Sequence, residues 1–154
     1  MMGDGWMELA LAFALFIASH SVPARPAVKR KLVDWLGEQG YLLVYSVISI
    51  CVLAVLIIAA GRAPHRELWT HELWQRWIPV IAMPIVCLLI AFSVGAPNPL
   101  SFGGRSPELF DPGQPGIAGV TRHPLLWALA LWAMSHVVPN GDLAHVLLFG
   151  GFAA

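Results

Sequence analysis

From Gly40 to Gly61 the chain reads GYLLVYSVISICVLAVLIIAAG, with no acidic or basic side chain anywhere in it. About 20 such residues in an α-helix rise about 30 Å, the thickness of a bilayer's hydrocarbon core. Inside that medium every backbone N–H and C=O must be satisfied within the segment, so a run of this length specifies a membrane helix. Composition agrees: 58% of the 154 residues are hydrophobic and 12% charged, against about 45–50% and about 25% in a soluble domain. The net charge is zero, which carries no nucleic-acid footprint, so no nucleic-acid partner is expected.

Other apolar runs surround this one. Spans are predicted at about 5–22, 40–60, 78–95 and 123–138, and a fifth run, 143–154, stops short of a crossing and is expected to be a partial span of a longer chain. The predicted fold is all-α: a single polytopic transmembrane bundle over 1–154, with four full spans plus a truncated fifth. The first run has no basic residue ahead of its apolar core, and Arg25 sits where cleavage would fall, so it reads as an uncleaved span. Pro79 falls in a first turn, where proline is tolerated, and Pro84 is expected to kink its helix. Cys51 and Cys87 lie inside apolar runs without ligand spacing and read as small buried hydrophobes.

The connections carry the polar residues. After the first span, VKRKLVDWLGEQG gathers Arg25, Lys29, Arg30 and Lys31, while Val28, Leu32, Trp35 and Leu36 share a helical face. This predicts a short amphipathic helix in the membrane interface, its lysines towards lipid phosphates. After the second span, Trp69, Trp74 and Trp77 mark a membrane boundary. His65 and His71 stand there near Glu67 and Glu72, but the spacing fits no standard metal pattern, and the stretch reads as a solvated loop. The Gly- and Pro-rich connection APNPLSFGGRSPELFDPGQPGIAG is predicted to be irregular, and connections of that length are often functional. Pro139-Asn140-Gly141-Asp142 reads as a turn. Neither an internal repeat nor a low-complexity tract is read in the chain. Lys and Arg number six on the side that includes Arg105 and Arg122, and three on the other. The positive-inside rule then places the N-terminus outside and the Arg122-His123-Pro124 loop in the cytoplasm.

The histidines are the candidate chemistry. A polar side chain is costly in hydrocarbon, so each one there asks for a reason. Neutral imidazole is a ligand for borderline metals and for haem iron. His20 shares a helical face with Phe13 and Phe16, and His136 shares one with Leu129 and Trp132, so both have ring-packing neighbours expected of a haem slot. The bland alternative is an imidazole hydrogen-bonded to a neighbouring helix. His123, between Arg122 and Pro124, opens a helix, where side chains and free N–H groups suit an anion. Thirteen residues separate His123 from His136, about 20 Å along a helix, so only one of them can partner His20. Expected depth favours His123, and both pairings stay open.

His20-Ser21 with Ala24 and Arg25, the following basic helix, Thr121-Arg122-His123-Pro124, Trp132 with His136, and Asn140-Gly141-Asp142 together resemble the NnrU family. These are small multi-pass membrane proteins of the bacterial inner membrane, associated with denitrification and nitric-oxide metabolism. The family shares its domain with the plant and cyanobacterial 15-cis-zeta-carotene isomerase, a haem b enzyme. The resemblance implies haem b as cofactor, His20 and His136 as its ligands, a chain continuing past Ala154, and nitrite or nitric-oxide reductase components as partners beside membrane lipid. The isomerase has a cysteine three positions before its second ligand. Here that position is Ala133, so the ligand exchange proposed for isomerisation is not expected to transfer.

Two further readings remain. Arg122-His123-Pro124 before a membrane helix is similar to the integral-membrane methyltransferases, in which the motif helps to bind S-adenosylmethionine. A non-catalytic assembly factor for a reductase complex, with structural histidines, is the third.

Overall fold

A computed structural model describes residues 4–101 and 107–153. Arg105, counted above for orientation, and Ala154 lie outside the described residues. Every regular element described is helical, apart from one isolated antiparallel bridge between Glu67 and Asp142. The chain divides into two compact units, Met1–His65 and Arg66–Ala154, each taken by itself below.

The first unit is a helical hairpin. α1 spans Asp4–Ala24, and α2 spans Pro26–Arg62 with Pro26 at its first position, where the missing N–H costs nothing. The amphipathic stretch that opens α2 and the apolar run after it meet at a kink at Gly37, whose φ of 72° and ψ of 165° lie outside the helical region. That backbone region is open essentially to glycine alone. No neighbour would obstruct an added Cβ there, so Gly37→Ala is expected to cost about 1–3 kcal/mol by conformation alone. A lowered thermal midpoint in detergent, with helix content retained, is the check.

The hairpin closes through small side chains. Ala12, Leu9, Leu56, Ala59 and Ala60 are buried, and α1 packs on α2 along much of its length. Apolar burial is no driving force between helices in lipid, so close backbone approach at small residues is what brings such helices together. At the open end Arg62 pairs with Glu8 at 3.1 Å; both are exposed, and such a pair adds little. At the closed end the buried Tyr41 donates its hydroxyl to the Pro23 carbonyl at 3.3 Å, satisfying one of the carbonyls left over at the end of α1.

The second unit packs three helices in sequence. A 3-10 turn, Leu73–Arg76, leads into α3 (Trp77–Ser93), and α4 (Pro124–Val137) and α5 (Leu143–Ala153) follow. α4 packs against both α3 and α5. Ala82, Val86, Ala128, Ala133, Ala144 and Leu148 make the buried seam. α3 remains helical through Pro84. Among the described residues the long connection before α4 holds two short 3-10 turns, Pro107–Leu109 and Gly116–Gly119, in keeping with its glycines and prolines. The turn after α4 is a 3-10 turn, Val138–Asn140, followed by Gly141 at φ 23°. The chain there pairs with the segment before α3: Leu68 N–H donates to the Gly141 carbonyl at 2.7 Å and Leu143 N–H to that of Arg66 at 2.9 Å.

Three stretches, Asp4–Ala24, Pro26–Arg62 and Leu73–Ser93, are long and apolar enough to cross a membrane. α4 has 14 residues and α5 has 11, about 21 and 17 Å, so the expected fourth span is shorter than a bilayer core. Large apolar side chains face outward throughout, among them Leu43, Ile50, Ile81 and Phe92, each more than 60% exposed. A surface of that kind is incompatible with water and natural in lipid. Cys51 and Cys87 belong to it. Both are exposed rather than buried, because the apolar face of these helices is the outer one.

Candidate functional site

His20 stands in the last turns of α1, half-buried. Its Nδ1 lies 2.8 Å from the carbonyl oxygen of Phe16, and the neighbouring Ser19 hydroxyl donates to the same oxygen at 2.9 Å. A carbonyl only accepts, so Nδ1 carries a proton, and in the neutral ring the lone pair is then on Nε2. Phe16 covers one side of the imidazole at 4.1 Å between centroids, and Tyr45 of α2 meets it edge-on at 6.0 Å.

His136, in the last turn of α4, repeats this arrangement. Its Nδ1 donates to the Trp132 carbonyl at 2.7 Å, and the buried Ser135 hydroxyl donates to the same oxygen at 2.8 Å. Trp132 lies 5.5 Å from the ring. Leu129, the other expected neighbour, points outward at 48% exposed; Phe149 of α5 takes its place, stacked at 5.3 Å. Asn140 caps the helix end, its amide donating to the His136 carbonyl at 2.7 Å. Among the described residues neither imidazole has a hydrogen bond at Nε2.

The common geometry has a common sequence, which corrects the reading of a chain without internal repeats. Ala14-Leu15-Phe16 and Ser19-His20, then Val22-Pro23, match Ala130-Leu131-Trp132 and Ser135-His136, then Val138-Pro139, position for position. Leu9 and Ala12 likewise match Leu125 and Ala128. The aromatic residue four positions before the histidine and the serine directly before it build the same hydrogen-bonded ring twice.

His123 is placed differently. It is the residue before α4, half-buried, with no side-chain cap bond, and a whole helix length separates it from His136. Arg122 projects outward, while its backbone carbonyl accepts from the buried Asn98 amide at 3.4 Å. The structure does not bring Arg122 or His123 to His136.

The remaining histidines divide. His71 has both ring nitrogens occupied: Nδ1 donates to the Pro139 carbonyl at 3.1 Å, and Nε2 accepts from Arg76 Nε at 3.0 Å. It braces the segment before α3 against the turn after α4. Trp69 does the same, its Nε1–H donating to the Val138 carbonyl at 2.8 Å, whereas Trp74 and Trp77 are exposed as boundary residues should be. His65 is exposed. Among the described residues no group of three or more His, Cys, Asp or Glu side chains could hold a metal ion.

His145 was not singled out by the sequence. Asp142 caps α5, accepting the His145 backbone N–H at 3.2 Å through one oxygen and its Nδ1–H at 2.6 Å through the other. The His145 ring stacks on Phe149 at 6.4 Å, and Phe149 also stacks on His136. The signal available was Asp-x-x-His at the head of an apolar run.

Compared with known protein families, residues 8–154 match the family described as NnrU protein. Neither curated proteins nor solved structures give a match.

Proposed function

The chain belongs to the NnrU family, and from that premise we propose that it binds haem b, which His20 and His136 would hold, and serves nitrogen-oxide metabolism in the bacterial cytoplasmic membrane. In this reading α1, the apolar part of α2 and α3 cross the bilayer, and α4 and α5, both shorter than its core, enter it partway. The N-terminus is periplasmic, the stretch from Pro26 to Leu36 lies in the interface, and nitrite or nitric-oxide reductase components are the partners.

One observation carries the ligand assignment. Each imidazole is tied at Nδ1 to the carbonyl four residues earlier, at 2.8 and 2.7 Å, which fixes its tautomer and directs the basic Nε2 away from its own helix. Ligating histidines are ordinarily held this way, by donating their other N–H to a carbonyl or carboxylate. The residues present therefore fit the group: two imidazoles tied at Nδ1, with aromatic rings beside them. Haem held by these two imidazoles would supply one-electron chemistry at its iron. The chain's own share is to fix both rings, flank them with Phe16, Tyr45, Trp132 and Phe149, and keep water from them.

The test is the absorption spectrum of the full-length protein purified from haem-replete cells. A Soret band with a six-coordinate low-spin spectrum is expected. A colourless protein would overturn the proposal. If that protein bound S-adenosylmethionine, with loss in Arg122→Ala, the methyltransferase reading would replace it; co-purification with reductase subunits alone would favour the assembly factor.

A further inference from the structure

The first unit holds a crevice beside the His20 ring, with Ser19 and Tyr45 in the wall between. Pro23 of α1, Leu32 and Leu36 before the bend at Gly37, and Tyr41, Val44 and Ile48 after it are among the residues enclosing a space of about 120 Å³. The bend makes it, since folding the amphipathic part of α2 back towards α1 leaves a gap that neither part fills. Three hydroxyl groups in its wall are already engaged, Tyr41 with the Pro23 carbonyl, Ser19 with that of Phe16 and Tyr45 with that of His20. What the crevice offers an occupant is hydrocarbon.

Its rim is cationic. The Lys29 ammonium stands 5.9 Å from the centroid of the Tyr41 ring, so it sits against a wall residue. Arg25, Arg30 and Lys31 are exposed in the same stretch. None of the four has an acidic partner, because the ion pairs among the described residues are Arg62–Glu8 and His145–Asp142. Trp35 is 81% exposed on the same stretch, and an indole in that position suits the headgroup layer.

We propose that this crevice seats one acyl chain of an anionic phospholipid, with Lys29 contacting its phosphate. The two chemistries lie side by side as they do in such a lipid, an apolar slot beside an uncompensated positive charge. Four basic side chains against two exposed acidic ones, Asp34 and Glu38, leave this stretch a positive surplus that favours an anionic headgroup over a zwitterionic one. A peptide would bring backbone N–H and C=O groups to a wall that has no free partner for them. The proposal rests on the interfacial placement of the segment from Pro26 to Leu36 and is independent of haem, so a colourless preparation leaves it standing.

The full chain in detergent, exchanged against phosphatidylglycerol or phosphatidylcholine and examined by native mass spectrometry, gives the test. One retained phosphatidylglycerol is expected, at least tenfold over phosphatidylcholine. Lys29→Glu is expected to erase that preference. Leu36→Trp, which fills the slot, is expected to remove the retained lipid with helicity unchanged; if that variant does not fold, Ile48→Trp fills the space from the opposite wall. Equal retention of both lipids by the native chain, or native-like selectivity in Lys29→Glu, overturns the proposal. A dimer mass in place of lipid, lost in Leu36→Trp, overturns it in favour of a second copy. Quenching by brominated lipid that does not differ between the native chain and Trp35→Phe would remove the interfacial placement itself, a failure distinct from lost selectivity.

Discussion

Haem-loaded protein is expected to lose its six-coordinate low-spin spectrum when His136 is replaced by alanine, and equally when His20 is, while His123→Ala keeps it. The two losses should match, because the two rings are built alike: a serine directly before, an aromatic residue four before, and Nδ1 donating to that residue's carbonyl. Each single variant should retain a weaker, five-coordinate pigment through the surviving imidazole, and the double variant should be colourless. His123 lacks every one of these supports and stands at the far end of α4 from His136. Outer-shell partners of a metal ligand are worth about 10–100-fold in affinity. Phe149→Ala, which removes the ring stacked on His136, should therefore weaken haem retention by a factor in that range without abolishing it. Spectra and haem-to-protein ratios measure all of these. A spectrum lost in His123→Ala and kept in His136→Ala would reverse the assignment.

The second large effect is expected at Gly141. Its φ of 23° lies in the region that favours glycine, and a Cβ added there would come within 2.5 Å of the Trp69 carbonyl oxygen and 3.2 Å of the indole ring. Unlike Gly37, this site combines a conformational cost of about 1–3 kcal/mol with an overpacking cost of similar size. The position matters because the Gly141 carbonyl accepts from both Leu68 and Trp69 N–H, at 2.7 and 3.2 Å. Those bonds join the start of the second unit to the turn that sets Asn140 under His136 and Asp142 at the head of α5. Gly141→Ala is thus expected to destabilise by about 3 kcal/mol, roughly 10 °C in Tm for a chain of this size, and to lower haem retention as the Asn140 cap shifts. Thermal unfolding in detergent measures the first. A Tm within a degree or two of the native value would mean that the turn relaxes at no cost.

Much of the site was written in the sequence, including one part not read there. The two Ala-Leu-aromatic-x-x-Ser-His-x-Val-Pro segments are plain once aligned. They escape notice in a chain this rich in alanine and leucine, where the apolar letters of a repeat carry little information and Ser-His and Val-Pro carry most of it. Hydrogen bonds to the carbonyl four residues back are local to a helix, so the tautomer of each imidazole follows from its own turn.

The sequence by itself determined an all-helical membrane chain, because uninterrupted apolar runs leave the backbone no other way to satisfy its polar groups in lipid. It also determined the breaks, at Pro26, at the Gly- and Pro-rich connection and at Pro139, since these act within a few residues. Tertiary structure decided what depends on partners distant in the chain. It chose Phe149 over Leu129 as the ring beside His136, engaged His71 with Pro139 and Arg76, and turned Cys51 and Cys87 outward. It also set the amphipathic stretch and the apolar run of α2 at a kink, at Gly37. In lipid, hydrophobicity does not tell a helix which side faces its neighbour; close packing at the buried alanines does, and that choice exists only once the helices meet.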